Sequence, residues 1–255
     1  MGAGHAHALY VHEHSPVHRL APEAKVAAAF GFVLAVALTP RQAVWAFAVD
    51  AAALLAVIRL ARVPARFMLA RLTIIVPFVT FALVIPFIAS GEQMDVLGVG
   101  VSREGLWGTW NILAKAGLGA TTSILLAATT EVPAILHGLT RLRVPPTLTM
   151  IAAFMIRYLE LIADQLRRMR IAMTARGYDP RWLWQARPIA ASAGALFIRS
   201  YERGERVHAA MLARGYAGAM PPLNQRTAGS REWLAAGALP LVAAAMAVAG
   251  LVVAT

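Results

Sequence analysis

Five stretches of the chain are almost unbroken apolar runs: residues 26–38, 43–58, 69–89, 105–130 and 233–254. Polar breaks such as Thr39-Pro40-Arg41-Gln42 separate them. A helix needs ~20 apolar residues to cross a bilayer core. The last three runs meet that length. The first two are short, and their close spacing predicts a helical hairpin on a thin or tilted path. Pro77 and Pro86 fall inside the third run, where membrane helices tolerate proline if neighbours satisfy the freed carbonyls. The leader, residues 1–23, is long, polar and acid-bearing, and a second apolar run follows the first closely. That arrangement favours a membrane hairpin over a signal peptide flanked by Arg19 and Lys25.

Two other patterns start apolar and end charged. Residues 147–175 run from Leu148, Met150, Ile151, Phe154 and Met155 to Asp164, Arg167, Arg168 and Arg170. Residues 188–213 run from Ile189, Leu196, Phe197 and Ile198 to Glu202, Arg203, Glu205 and Arg206. Asp164 with Arg168, and Glu202 with Arg206, are acid-before-base pairs at i,i+4. Both patterns predict long helices lying partly in or against the membrane.

Composition and charge sharpen this picture. The 255 residues are 59% hydrophobic and 15% charged, with mean hydropathy +0.61; soluble domains run near ~45–50% and ~25%. An ordinary cytosolic enzyme is disfavoured and a disordered chain excluded. The absence of cysteine excludes disulfides, thiolate nucleophiles and cysteine zinc sites. Net charge is +11, and only Lys25 and Lys115 are lysines. Residues 137–231 hold 15 arginines against five acids, nearly the whole excess. Nucleic-acid binding would need that stretch as a free module, which its apolar segments 148–156 and 188–198 argue against. Arg59, Arg62, Arg66 and Arg71 lie between the second and third runs, whereas Glu92, Asp95, Arg103 and Glu104 lie between the third and fourth. The positive-inside rule puts the first loop, the N-terminus and residues 131–231 in the cytoplasm, and the C-terminus outside. The division predicted is a leader (1–23), a four-helix membrane region (24–130), a cytoplasmic coupling-helix region (131–231) and a C-terminal membrane helix (232–255).

The two long patterns end alike. Ala172-Met173-Thr174-Ala175-Arg176-Gly177-Tyr178 matches Ala210-Met211-Leu212-Ala213-Arg214-Gly215-Tyr216 at six of seven positions, 38 residues apart. Glycine after the last helical turn is a left-handed cap, and a cation there suits the helix dipole. Capping alone does not require the same Ala, Met, Arg and Tyr twice. Two copies predict two equivalent docking surfaces, with alanine allowing close approach and arginine forking onto a carboxylate.

Other chemistry is sparse. Neither lysine follows a glycine, so no G-x-x-x-x-G-K-[ST] phosphate loop is present and ATP would be handled by separate subunits. No Gly-x-Ser-x-Gly or framing carboxylate pair marks an enzyme. Asp50, Lys115 and Glu131 are ionisable residues in or beside apolar runs; Asp50 is a candidate partner of Lys115 or of another subunit, and Lys115 can equally snorkel to an edge. His5, His7, His12, His14 and His18 cluster in the leader. His-x-His and His-Glu-His suit a divalent ion such as Co²⁺ or Ni²⁺, or belong to a flexible polar leader or a partner contact. His137 and His208 read as isolated surface residues near the partner interface.

The run Arg181-Trp182-Leu183-Trp184-Gln185-Ala186-Arg187, then Leu196-Phe197-Ile198-Arg199-Ser200-Tyr201-Glu202-Arg203 and Ala213-Arg214-Gly215-Tyr216, resembles the transmembrane component of energy-coupling-factor transporters. Ala37-Leu38-Thr39-Pro40 and Ser102-Arg103-Glu104-Gly105 resemble its cobalt-transport branch, and the likeness covers roughly residues 15–222. The resemblance implies an all-α integral membrane protein of about five membrane helices, with long cytoplasmic coupling helices ending in twin Ala-Arg-Gly tips. It implies a scaffold in the cell inner membrane, without catalysis of its own, serving cobalt import for cobalamin biosynthesis. Ala175, Arg176 and Gly177, with Ala213, Arg214 and Gly215, would couple to two ATP-binding cassette ATPases that carry ATP and Mg²⁺. A substrate-binding membrane subunit would capture cobalt, and a small accessory membrane subunit would join. This chain itself would bind no cofactor. The alternatives are a self-sufficient divalent-metal channel or carrier and a nickel importer subunit of the same family.

Overall fold

The computed structural model describes residues 10, 11, 13, 15–89, 93–96, 99–179, 182–218 and 227–254. These fall into two compact units, one within Leu9–Leu142 and Arg226–Thr255, the other within Arg143–Gln225.

The first unit opens with a short helix α1 (Pro16–Arg19), capped by the Ser15 side chain. Helices α2 (Pro22–Leu38) and α3 (Val44–Ala61) form the expected hairpin. The third apolar run is split. Helix α4 (Ala65–Arg71) passes through a 3₁₀ turn (Leu72–Ile75) into α5 (Val76–Ile88), which places Pro77 in the first turn of α5, where its missing N–H costs nothing. A short antiparallel hairpin follows, strands β1 (Gln93–Val96) and β2 (Val99–Ser102) paired Gln93 with Ser102 and Val96 with Val99. These two short strands aside, the described residues form helices, as expected of an all-α fold. Then come α6 (Arg103–Thr129), α7 (Val132–Arg141) and α10 (Ser230–Ala254).

Small residues let these helices approach closely, as expected where lipid removes the hydrophobic drive between helices. Each internal proline meets a glycine of its neighbour. A Cβ added at Gly105 of α6 would lie 2.6 Å from Pro86 Cα of α5, and one at Gly31 of α2 would lie 3.2 Å from Pro240 Cβ of α10. Thr109 Oγ1 donates to Ala82 O at 2.7 Å and fastens α6 to α5. Phe32, Val36, Leu54, Leu125 and Ala243 belong to one buried cluster. On one loop side, Arg41 pairs with Glu104 at 3.0 Å.

The second unit holds α8 (Pro146–Ala175), a 3₁₀ turn (Leu183–Ala186) and α9 (Arg187–Ala213). Both helices begin at or beside a proline and stop one residue before Arg-Gly, close to the sequence expectation.

Five helical segments are long and apolar enough to cross a membrane: Val44–Ala61, Ala65–Ile88, Arg103–Thr129, Pro146–Ala175 and Ser230–Val253. The number agrees with expectation and the membership differs. Helix α2 has only 17 residues, and α8 qualifies through its apolar first half.

Candidate coupling site

The two tips share one backbone geometry. In the first, Arg176 is the cap at φ −89° and Gly177 is left-handed at φ +79°. Tyr178 N donates to Met173 O at 3.1 Å, and Gly177 N donates to Thr174 O at 2.9 Å. In the second, Arg214 is the cap at φ −95° and Gly215 has φ +81°. Tyr216 N donates to Met211 O and Gly215 N to Leu212 O, both at 3.0 Å. This is the Schellman closure twice, in which the two residues after the cap satisfy the last free carbonyls. A Cβ at Gly177 or Gly215 would touch nothing within 4 Å. Glycine is needed there for its φ and not for space.

Exposure repeats as well. Met173 and Tyr178, and their counterparts Met211 and Tyr216, are half-buried. Ala175, Arg176, Gly177, Ala213, Arg214 and Gly215 are all exposed. Among the described residues neither Arg176 nor Arg214 makes an ion pair or a side-chain hydrogen bond, so both guanidiniums are free to meet a partner.

The tyrosines behind the tips are held differently. Tyr178 OH donates to Gln185 O in the 3₁₀ turn. Tyr216 OH donates to Met150 Sδ at 2.8 Å, near the start of α8. Ser192 Oγ meets Met173 Sδ at 3.4 Å, joining the start of α9 to the end of α8. The two helices therefore run antiparallel and their tips lie at opposite ends of the pair. The stretch from Met150 to Met173 covers roughly 35 Å at 1.5 Å per residue, which sets the scale of their separation.

Little of this pair is covered. Thr149 is the one buried residue of α8, and α9 has none. Leu148, Ile151, Met155, Leu159 and Leu166 stand exposed at helical spacing, an apolar stripe left uncovered among the described residues. Glu202 pairs with Arg206 at 4.0 Å, the expected i,i+4 contact.

The other flagged residues fare unevenly. Asp50 is fully buried, but it does not pair with Lys115; both its carboxylate oxygens lack a hydrogen-bond partner. Lys115 instead donates to Ala37 O at 2.7 Å, because its long stem carries the ammonium to the open carbonyls near the end of α2. Glu131 is exposed, as are His137 and His208. His5, His7, His12 and His14 lie outside the described residues. Among those described, no group of three or more metal-ligating side chains gathers.

Sequence reasoning missed two buried charges at the start of α2. Lys25 donates to Thr129 O at 2.8 Å, closing the end of α6. Glu23 accepts from Arg141 Nη1 at 3.2 Å and from Ala228 N at 2.7 Å. Both looked like a polar flank. The signal available was a pair of opposite charges directly after Pro22, at a helix start.

Helices enough for several crossings and small-residue packing describe a multi-pass membrane protein. Residues 13–224 match the family described as CbiQ, cobalt transport protein. The chain is similar to the cobalt transport protein CbiQ of Rhodobacter capsulatus, 31% identical over 171 residues that cover 67% of this chain and 68% of that one. It is similar to the energy-coupling factor transporter transmembrane protein EcfT of Bacillus selenitireducens, 29% identical with 82% of each chain covered. The EcfT of Bacillus subtilis is 27% identical, over 82% of this chain and 83% of that one. The chain belongs to the CbiQ cobalt transport family, and is a transmembrane component of the cobalt and energy-coupling-factor class of transporters.

Proposed function

We propose that this chain is the coupling subunit of an ATP-driven cobalt importer, and that its two tips seat in two ATP-binding cassette ATPases. The observation that supports this best is the duplicated tip: the same left-handed closure, the same exposed Ala-Arg-Gly and a free guanidinium in each copy. A helix end with alanine at its rim fits closely into a groove, and arginine adds a forked bond to a carboxylate there.

The antiparallel arrangement bears on how α8 and α9 meet the membrane. A pair that crossed it would present its tips on opposite sides. Two ATPases work on one side, so α8 and α9 lie along the cytoplasmic surface. Their exposed apolar stripe faces the bilayer or a membrane partner, and their charges face water. The arginine-rich loops support an N-terminus on that same side.

ATP and Mg²⁺ belong to the ATPases, and cobalt is cargo captured by a separate substrate-binding membrane subunit. A small accessory membrane subunit completes the assembly. ATP binding closes the ATPases and moves their grooves, which carry the tips. The long helices shift, and their apolar halves tilt the substrate-binding subunit so that it releases cobalt inward. The names of the EcfT relatives favour the energy-coupling part of this reading; the CbiQ family favours cobalt.

The test is co-purification from detergent with and without Arg176→Glu and Arg214→Glu, followed by metal uptake in liposomes. The double reversal is expected to lose the ATPases and metal-linked ATP hydrolysis while the chain stays folded. Normal uptake by an assembled double reversal contradicts docking. Uptake by this chain alone, without ATPases, favours a self-sufficient carrier. Competition between Co²⁺ and Ni²⁺ in the same vesicles assigns the cargo.

A further inference from the structure

The chain leaves the membrane unit after Leu142 and returns at Arg226, so residues 143–225 hang on two connections. Both are held by one side chain. Arg141, the last residue of α7, donates to Glu23 Oε1 at 3.2 Å and to Oε2 at 3.4 Å. Ala228, two residues ahead of α10, gives its backbone N–H to the same Oε1 at 2.7 Å. The Glu23 side chain is 7% exposed and that of Arg141 is 24% exposed. Charge-assisted bonds of this kind are among the stronger ones, and shielding from water strengthens them further.

The local packing fixes this geometry. A Cβ at Gly138 would lie 3.0 Å from both Pro22 C and Glu23 N, so α7 rests directly on the backbone that begins α2. Arg141 follows Gly138 by three residues and therefore shares its face. The chain turns immediately afterwards: Arg143 is left-handed at φ +65°, ahead of Pro145 and Pro146. Lys25, in the same first turn of α2, secures it to the end of α6. Helix α2 also packs along α10, and it shows Phe30, Leu34 and Leu38 to the outside at i, i+4 and i+8.

We infer that Glu23 is a positioning residue for coupling: its one carboxylate ties both connections of the coupling segment to the start of α2, so that tip movement is delivered first to that helix. A lever anchored on one connection alone would spend its motion in the free connection. With both connections on one carboxylate, they move with α2, and the Phe30–Leu34–Leu38 face carries the displacement outward. This inference rests on the docking reading above, and its test separates the two.

The full chain is studied first alone in detergent, by amide hydrogen exchange, which reports local opening. Glu23→Ala is expected to speed exchange at Ala228 and across residues 138–142. Arg141→Ala is expected to speed exchange at 138–142 and leave Ala228 protected. Glu23→Gln keeps an acceptor and restores most of the protection at Ala228. In the assembled transporter, cobalt moved per ATP hydrolysed is expected to fall at least about 5-fold in Glu23→Ala, within the range of ordinary coupling energies. Phe32→Ala, a fully buried change on the same helix, serves as the control: it lowers thermal stability and leaves that ratio unchanged. Unaltered exchange at Ala228 in Glu23→Ala overturns the anchor whatever the tips do. So does a transport ratio that falls no further than in Phe32→Ala. Normal uptake by the tip reversals overturns docking instead, and leaves the exchange result to judge the anchor.

Discussion

The membrane unit and the coupling unit are built by opposite rules. In the first, small residues face prolines, Phe32 and Leu54 are almost wholly buried, and buried charges are matched to carbonyls or to each other, Asp50 excepted. In the second, two long helices bury one residue between them, and their charged ends and apolar stripe stand open. A helix survives in isolation only marginally, so α8 and α9 draw support from outside themselves. One region holds a buried core of its own, and the other buries almost nothing. Specific geometry in the open region therefore points to recognition more directly than geometry in the packed one.

The largest effect expected from this contrast is at the tips. On the proposed docking, reversing Arg176 and Arg214 to Glu would break two charge pairs with the ATPases, each worth about 2–5 kcal/mol. ATPase co-purification should drop more than about tenfold, while the thermal midpoint of the chain alone stays put. A lowered midpoint would mean that the arginines hold the fold, and the contrast between the units would fail.

Next in size are glycine substitutions, which act oppositely in the two units. Gly105→Ala drives a methyl to 2.6 Å from Pro86 Cα and should cost about 1–3 kcal/mol of stability. Gly194→Ala and Gly204→Ala on α9 meet nothing within 4 Å and should be neutral or add up to about 1 kcal/mol through helix propensity. Thermal unfolding of all three in one detergent compares the units directly. Smaller again, Gly177→Ala and Gly215→Ala force a Cβ into the left-handed region, at about 1–2 kcal/mol each. The two should lower ATPase stimulation equally. Unequal losses would show that the tips are not equivalent.

The smallest effect belongs to His18, ahead of α2. Its Nε2 donates to Val11 O at 3.1 Å and its Nδ1 meets Ser15 Oγ at 2.7 Å, which suits the neutral ring. Burial holds its pKa below the usual histidine value; Lys25 lowers it further, and the Val11 and Ala128 backbone and Glu13 oppose that. A depressed histidine pKa means that the unfolded chain binds the proton more readily. The contribution is complete above about pH 6.5 and is lost as pH falls through the folded value. His18→Gln should flatten that acid-side decline in the thermal midpoint.

What was legible in the sequence follows from the range of the forces involved. The limits of α8 and α9 came within one residue, because proline at a helix start and glycine after its end are local signals. The twin tips were visible for the same reason. Long-range packing was not. Nothing near Glu23 says that Arg141 and Ala228 will find it, over a hundred residues away. By composition Lys115 could pair with Asp50 or snorkel to an edge, and its reach takes it to Ala37 O. The β1–β2 hairpin depends on a turn and a register that its acidic, glycine-bearing loop did not reveal. Hydropathy does not separate a helix that crosses the membrane from one that lies along it, so α8 joins the candidate spans on its apolar content, whereas α2 misses them on length, at 17 residues.

The central claim is that both tips sit in ATPases. The chain has no cysteine, so Ala175→Cys and Ala213→Cys each install a single thiol for a short photo-crosslinker. In the assembled complex the account predicts that both positions crosslink to ATPase subunits in similar yield, and that adding ATP changes both yields together. Crosslinks from either tip to lipid or to this chain alone would contradict it.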